Sequence, residues 1–104
     1  MHVQVNTDGN VQGREDVTER VRATVSDGLA RFADRLTRVE VHLSDENSAK
    51  AGADDKRCLI EARVAGMDPV VASHNAAALP VAIDGALDKL RRALDSAIGR
   101  LEKR

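Results

Sequence analysis

The chain has 104 residues, 42% hydrophobic and 32% charged, a composition typical of a single globular domain spanning residues 1–104. Its 16 basic and 17 acidic residues give a net charge of −1, unlike the strongly basic balance of a dedicated nucleic-acid binder. No apolar run approaches the roughly 18 residues of a membrane span. The amino terminus lacks a secretory pattern, so we expect a cytoplasmic protein with no membrane partner.

The first half of the sequence changes its hydrophobic period twice. Valines at positions 3 and 5 predict a short strand over residues 2–6, ended by the turn residues 8–10. Apolar residues then recur at steps of three and four, which predicts one amphipathic helix over residues 14–36. These apolar residues are Val17, Val21, Val25, Leu29, Phe32 and Leu36. Alternation returns over residues 39–43 and predicts a second, half-buried strand.

The third and fourth strands follow a polar connection. Residues 45–55 are small, polar and glycine-containing, as in a link between two antiparallel strands. Residues 58–64 alternate most clearly and place Cys58 on the inward side, as a small buried apolar group. A turn containing glycine and proline then precedes a short strand over residues 70–74.

The last helix combines an apolar stripe with charges sorted onto two flanks. We expect it to start near Leu79, because Pro80 then occupies the first turn, where its missing N–H costs no hydrogen bond. The apolar stripe comprises Ile83, Leu87, Leu90, Leu94, Ile98 and Leu101. The basic flank comprises Lys89, Arg92, Arg100 and Lys103. The acidic flank comprises Asp84, Asp88, Asp95 and Glu102.

The order of elements is therefore β-α-β-β-β-α. It predicts an α+β fold in which two helices pack on one face of a four-stranded mixed sheet. The first two strands, joined through a helix, should be parallel neighbours. The other sheet face should be polar and mixed in charge, with Gln4, Arg38, Glu40, His42, Glu61 and Arg63. The only aromatic residue, Phe32, lies in the apolar stripe, which excludes base stacking on the sheet.

No residue pattern indicates an enzyme. His2, His42 and His74 lack metal-ligand spacing, and a single cysteine excludes both an intrachain disulfide and a cysteine-based zinc cluster. The adjacent carboxylates Asp54 and Asp55 have no histidine or glycine-rich phosphate cradle nearby. We therefore expect no catalysis, metal, cofactor or small-molecule substrate.

Two stretches carry a family resemblance. The run over residues 34–44 and the Ala-Ile-Asp then Asp-Lys-Leu-x-Arg spacing over residues 82–92, with the order of elements, resemble the ribosome hibernation-promoting factors. This family is also known as ribosome-associated inhibitor or sigma-54 modulation proteins, and the resemblance covers nearly the whole chain. It implies a double-stranded-RNA-binding-like fold that occupies the mRNA and tRNA channel of the small ribosomal subunit and restrains translation. Arg35, Lys89 and Arg92 match positions that could contact rRNA phosphates.

The candidate rRNA-binding residues follow from the resemblance and the basic flank together. They are Arg35, Lys89, Arg92, Arg100 and Lys103, with Arg91 and Arg31 at the margin. If the basic residues of the two helices meet, they form a groove suited to an A-form phosphate backbone. From spacing alone, the same charges also fit a solvated surface with i,i+4 ion pairs.

Two departures from the family pattern leave a second function open. Residues 95–100 replace the lysine-rich end that the second helix usually has, which dilutes its positive charge. The chain ends at Arg104, so we expect the short form without a further carboxy-terminal domain, acting as a monomer. The alternative is a protein-interaction or regulatory module that kept the fold and lost strong rRNA binding.

Overall fold

The computed structural model describes residues 1–8, 14–45 and 55–103. Its strands and helices follow the predicted order, β-α-β-β-β-α. The elements are β1 (His2–Thr7), α1 (Arg14–Gly28), a 3₁₀ turn (Ala30–Phe32), β2 (Leu36–Asp45), β3 (Lys56–Val64), β4 (Val70–Ala76) and α2 (Leu79–Glu102). The predicted turn at residues 9–10 and most of the predicted connection, residues 46–54, lie outside the described residues.

The four strands form one sheet in the spatial order β1-β2-β3-β4. β1 pairs with β2 in parallel, as the helical connection predicts, and the other two pairings are antiparallel. Val39 lies opposite Val3 on one side and Ala62 on the other, and all three side chains are buried. The alternation of each strand therefore puts one apolar face under the helices, because side chains directly opposite one another share a face. The predicted mixed sheet is confirmed.

The core lies between this apolar face and the two helices. α1 packs on β1, whereas α2 packs on β3 and β4. Leu90 and Leu94, from the predicted stripe of α2, are fully buried, and Phe32 is 4% exposed. Cys58 is fully buried, and this burial raises the pKa of its thiol to about 12, so the thiolate is absent at neutral pH.

The first helix is shorter than the sequence predicts. It ends at Gly28, a 3₁₀ turn follows, and Leu36 already belongs to β2. The apolar spacing continues past the true end because a 3₁₀ turn repeats every three residues, which keeps Leu29 and Phe32 on the buried side. Gly28 allows close packing here: an added Cβ would lie 3.1 Å from a guanidinium nitrogen of Arg91 in α2.

The other boundaries agree closely with the predictions. α2 begins at Leu79 with Pro80 in its first turn, as expected. β2 and β4 each extend beyond the predicted strands, to Asp45 and to Ala76. Within the described residues, no helix is long and apolar enough to cross a membrane.

Candidate nucleic-acid interface

The basic flank of α2 faces solvent. Lys89, Arg92, Arg100 and Lys103 are all exposed, whereas Leu90 and Leu94 on the opposite side of the helix are fully buried. The flank runs from Lys89 to Lys103, the residue that caps α2 after Glu102, a distance of roughly 21 Å at 1.5 Å per residue. One side of α2, together with its cap, thus presents four cations.

Lys89 connects this flank to the sheet. Its Nζ donates a hydrogen bond to the backbone carbonyl oxygen of Ser73 in β4, at 3.1 Å. A carbonyl oxygen carries no formal charge, so Lys89 remains a full positive charge at the surface. The contact fixes the position of the lysine over the edge of β4.

Arg92 makes the local pair that the solvated-surface interpretation predicts. Its guanidinium lies 3.1 Å from a carboxylate oxygen of Asp88, one turn earlier in α2. The side chains are 78% and 52% exposed, and ion pairs at such exposure are screened and contribute little to stability. Asp88 therefore competes only weakly with an incoming phosphate for Arg92.

Arg100 and Lys103 close the basic flank at the carboxyl-terminal end of α2. Neither has an acidic side chain within ion-pair distance among the residues that the structure describes. Arg100 also borders an open groove of about 340 Å³, lined by the turn between β3 and β4 at Gly66 and Asp68 and by Leu101. These two cations are free to contact a polyanion.

Arg31 instead pairs with the acidic flank of α2. Its two terminal nitrogens donate to the two carboxylate oxygens of Asp95 at 2.7 and 2.8 Å, a bidentate geometry. The hydrogen bonds raise the pKa of Arg31 and lower that of Asp95. The guanidinium also stacks over the ring of Phe32, 4.1 Å from its centroid. Arg31 is therefore held in place against Asp95, although this pair is also exposed to solvent, with side chains 57% and 54% exposed.

Arg35 and Arg91 also point into the contact between the helices. Arg35 forms an ion pair with Glu102, and Arg91 donates to the carbonyl oxygen of Gly28 at 3.4 Å. Arg31 and Arg35 line, with Asp95 and Glu102, an open groove of about 300 Å³ beside Phe32. Arg31, Arg35 and Arg91 are three of the seven candidate residues. We call them the interhelical group, which is separate from the basic flank.

The sequence left open whether the basic residues of the two helices meet in a groove. In the described residues, Arg31 and Arg35, which follow α1, instead contact Asp95 and Glu102 on the acidic flank of α2. The sequence could not show this pairing, since Arg31 and Asp95 are 64 residues apart. Ser96, which the charge pattern of the sequence does not mark, is exposed on the same side of α2 between Arg92 and Arg100.

The outer sheet face has the mixed charge that the sequence predicts. Arg38 donates to Glu40 at 2.9 Å and also contacts the side-chain oxygen of Gln4. The hydrogen bond from Arg38 lowers the pKa of Glu40, with smaller effects from Arg63 and His42. Because its charges pair within the sheet, this face is a weaker candidate for phosphate binding than α2.

Comparisons with known proteins agree with the fold and the resemblance. Residues 10–102 match the family model described as sigma 54 modulation protein / S30EA ribosomal protein. A ribosomal subunit interface protein from Coxiella burnetii is similar in fold, at 13% identity and a TM-score of 0.66 over 100% of both chains. The N-terminal domain of Thermus thermophilus Protein Y is 25% identical, with a TM-score of 0.64 over 97% of this chain and 99% of that one. A comparison with curated protein sequences found no match.

The family model spans most of the chain. The protein therefore belongs to the sigma 54 modulation protein / S30EA ribosomal protein family, a class of ribosome-associated proteins.

Proposed function

We propose that the protein binds the small ribosomal subunit through rRNA phosphates and restrains translation by occupying the mRNA and tRNA channel. The observation that carries this proposal is the basic flank: four exposed cations on one side of α2 and its carboxyl-terminal cap. The chain's family supports a ribosomal partner. The similar solved structures include a protein named for the ribosomal subunit interface. A ribosomal partner implies a cytoplasmic location.

Binding, rather than catalysis, is the mechanism that these side chains support. Lysine and arginine at fixed intervals neutralise phosphates and position a protein on a nucleic acid without reading its bases. Lys89 is preset by its bond to Ser73, while Arg92, Arg100 and Lys103 extend the contact along α2. One copy of the protein bound in the channel would sterically block the entry of mRNA and tRNA.

The interhelical group takes a secondary place in the proposal. For Arg31 and Arg35, a phosphate would compete with Asp95 and Glu102, which already contact the two guanidinium groups. The basic flank has no such competitor at Arg100 or Lys103 within the described residues.

The pairing of Arg31 and Arg35 with carboxylates favours the second candidate, a protein-interaction module with weak rRNA affinity. The net charge of −1 and the two interhelical ion pairs both reduce the attraction of the chain for a polyanion. Binding to a protein partner through this surface would depend much less on salt than binding to phosphates.

Co-sedimentation with isolated small subunits at low and moderate salt tests the proposal. We expect the wild-type chain to sediment with small subunits, and Arg92→Ala with Arg100→Ala to reduce binding by at least about tenfold at moderate salt, because two phosphate contacts are lost. The matched control is Arg20→Ala with Arg22→Ala, which removes the exposed Arg20 and the half-buried Arg22 from α1 and should bind as the wild type does. Equal loss in both variants, or no sedimentation of the folded wild type, contradicts the proposal.

A further inference from the structure

The strand β1 forms one edge of the sheet and leaves part of its backbone unpaired. The N–H of Asp8 donates to the carbonyl oxygen of Leu43 in β2 at 3.1 Å, which continues the parallel ladder of β1. In such a ladder, alternate residues direct both backbone groups toward the neighbouring strand. The even-numbered residues of β1 therefore face β2, and Val3, Val5 and Thr7 direct their N–H and C=O groups outward.

The opposite edge of the sheet is protected, whereas none of the residues that the structure describes covers the β1 edge. On β4, Lys89 bonds to the outward carbonyl of Ser73, and Pro69 precedes the strand. Lysine and proline are the usual means by which proteins prevent strand addition at an edge. The six residues of β1 include no charged residue and no proline, and their register with β2 is continuous. β1 is therefore an open, uncharged edge among the described elements.

We propose that this edge pairs with the β1 edge of a second copy of the chain, antiparallel and centred on Val5. Pairing about a two-fold axis at Val5 sets Val5 opposite its counterpart and Val3 opposite Thr7. All three residues direct both backbone groups outward, so the three cross-strand pairs form six hydrogen bonds, two per pair. The two sheets join into one of eight strands, with both pairs of helices on the same face.

The side chains of β1 suit this register on both faces. On the helix side, Val5 is only half-buried in the single chain, and pairing covers it with the second Val5. β-Branched residues opposite one another are favourable cross-strand pairs. On the outer side, Gln4 lies opposite Asn6, two amides that already hydrogen-bond to each other within one chain at 3.2 Å. Continuing the register brings the imidazole of His2 opposite the carboxylate of Asp8.

A second copy fits this edge because the strand is complementary to itself. In this register every outward-facing residue meets another outward-facing residue, and no like charges face one another. This interface uses a different part of the molecule from the basic flank of α2. The dimer and the proposed ribosome binding can therefore succeed or fail independently.

Disulfide trapping tests the register directly. In Val5→Cys the two introduced thiols lie opposite each other, within the Cα separation of about 7 Å that a disulfide tolerates. In Thr7→Cys, the matched control, the symmetry places the two thiols about 14 Å apart, four residues along the strands. The native Cys58 is fully buried and does not compete. At high protein concentration under mild oxidation, we expect a covalent dimer of Val5→Cys and little or none of Thr7→Cys.

Sedimentation equilibrium of the otherwise native chain provides the second readout. The average mass should rise from 11.2 kDa toward twice that value with increasing concentration. Val5→Pro removes two of the six proposed hydrogen bonds, since the N–H of Val5 faces outward and both symmetric copies change. It should weaken dimerisation by about tenfold or more. Val71→Pro makes the same change at the protected edge, where position 71 also faces outward because it lies two residues from Ser73. This control should leave the dimerisation constant unchanged.

Three results would overturn the proposal. One is a mass that stays monomeric at the highest concentration reached while the circular dichroism spectrum shows a folded chain. Another is equal disulfide formation by Val5→Cys and Thr7→Cys, which indicates random collision. The third is dimerisation that Val71→Pro weakens as much as Val5→Pro, which places the interface elsewhere. None of these results depends on ribosome binding, so they leave the proposed function untouched.

Discussion

Gly85 shows how a single residue in α2 sets the fit between helix and sheet. The ring of His74 from β4 occupies the space where a side chain at position 85 would lie. An added Cβ would overlap the ring, with Cγ of His74 only 2.5 Å away. A residue without a side chain is therefore needed here because of packing, although glycine is a poor residue inside a helix.

Gly85→Ala should lower the free energy of unfolding by about 1–3 kcal/mol, because overpacking exceeds the gain of at most about 1 kcal/mol in helix propensity. In a His74→Ala background, the same substitution should become neutral or stabilising. Gly99→Ala is the matched control, since nothing lies within 4 Å of its added Cβ, and should stabilise by up to about 1 kcal/mol. Urea unfolding of the four variants measures these effects. A stabilising Gly85→Ala with His74 intact contradicts this packing.

At the scale of the elements, the contact between the 3₁₀ turn and α2 decides which cations are available. Arg31 and Arg35 meet Asp95 and Glu102, so the acidic flank of α2 pairs with the arginines that follow α1. On α2 itself, the basic flank then remains exposed. The acidic flank therefore limits the size of the candidate binding surface.

Removing the two competing carboxylates should tighten binding to the small subunit. Asp95→Asn with Glu102→Gln keeps the size of the side chains, and it frees the charges of Arg31 and Arg35 for phosphate. The control, Glu15→Gln with Asp84→Asn, makes the same change in net charge away from both arginines. A titration of small subunits at fixed salt should show tighter binding only for the first variant. Equal tightening in both would mean that overall charge, and not these arginines, governs affinity.

The sequence predicts most elements of this fold, because their signals are local. Strict alternation over residues 58–64 identifies the buried face of β3, and the apolar stripe identifies the buried face of α2. Each pattern depends on one element alone. The predicted end of α1 was wrong, because the 3₁₀ turn after the helix continues the same spacing of apolar residues. The charge sorting of α2 was also readable from the sequence. The pairing of Arg31 with Asp95 was not, since it depends on how two elements 64 residues apart in sequence are juxtaposed.

For the whole molecule, the net charge of −1 and the local basic flank lead to different expectations for the salt dependence of rRNA binding. The overall charge provides no long-range attraction to a polyanion, so rRNA binding must come from short-range contacts of particular cations. Counterion release makes the logarithm of the affinity fall linearly with the logarithm of the salt concentration. The slope is about 0.7 to 0.9 per phosphate neutralised.

The salt dependence of small-subunit binding should therefore report the number of phosphate contacts. If the four cations of the basic flank bind phosphate, the slope has a magnitude of about 3 to 3.5, whereas all seven candidates together would give about 5 to 6. Arg92→Ala with Arg100→Ala should lower it by about 1.5, as two contacts disappear. Glu15→Gln with Asp84→Asn raises the net charge by two without adding a contact, so the slope should not change. Affinities measured between low and moderate salt give the slope, and a value near zero would favour a protein partner over rRNA.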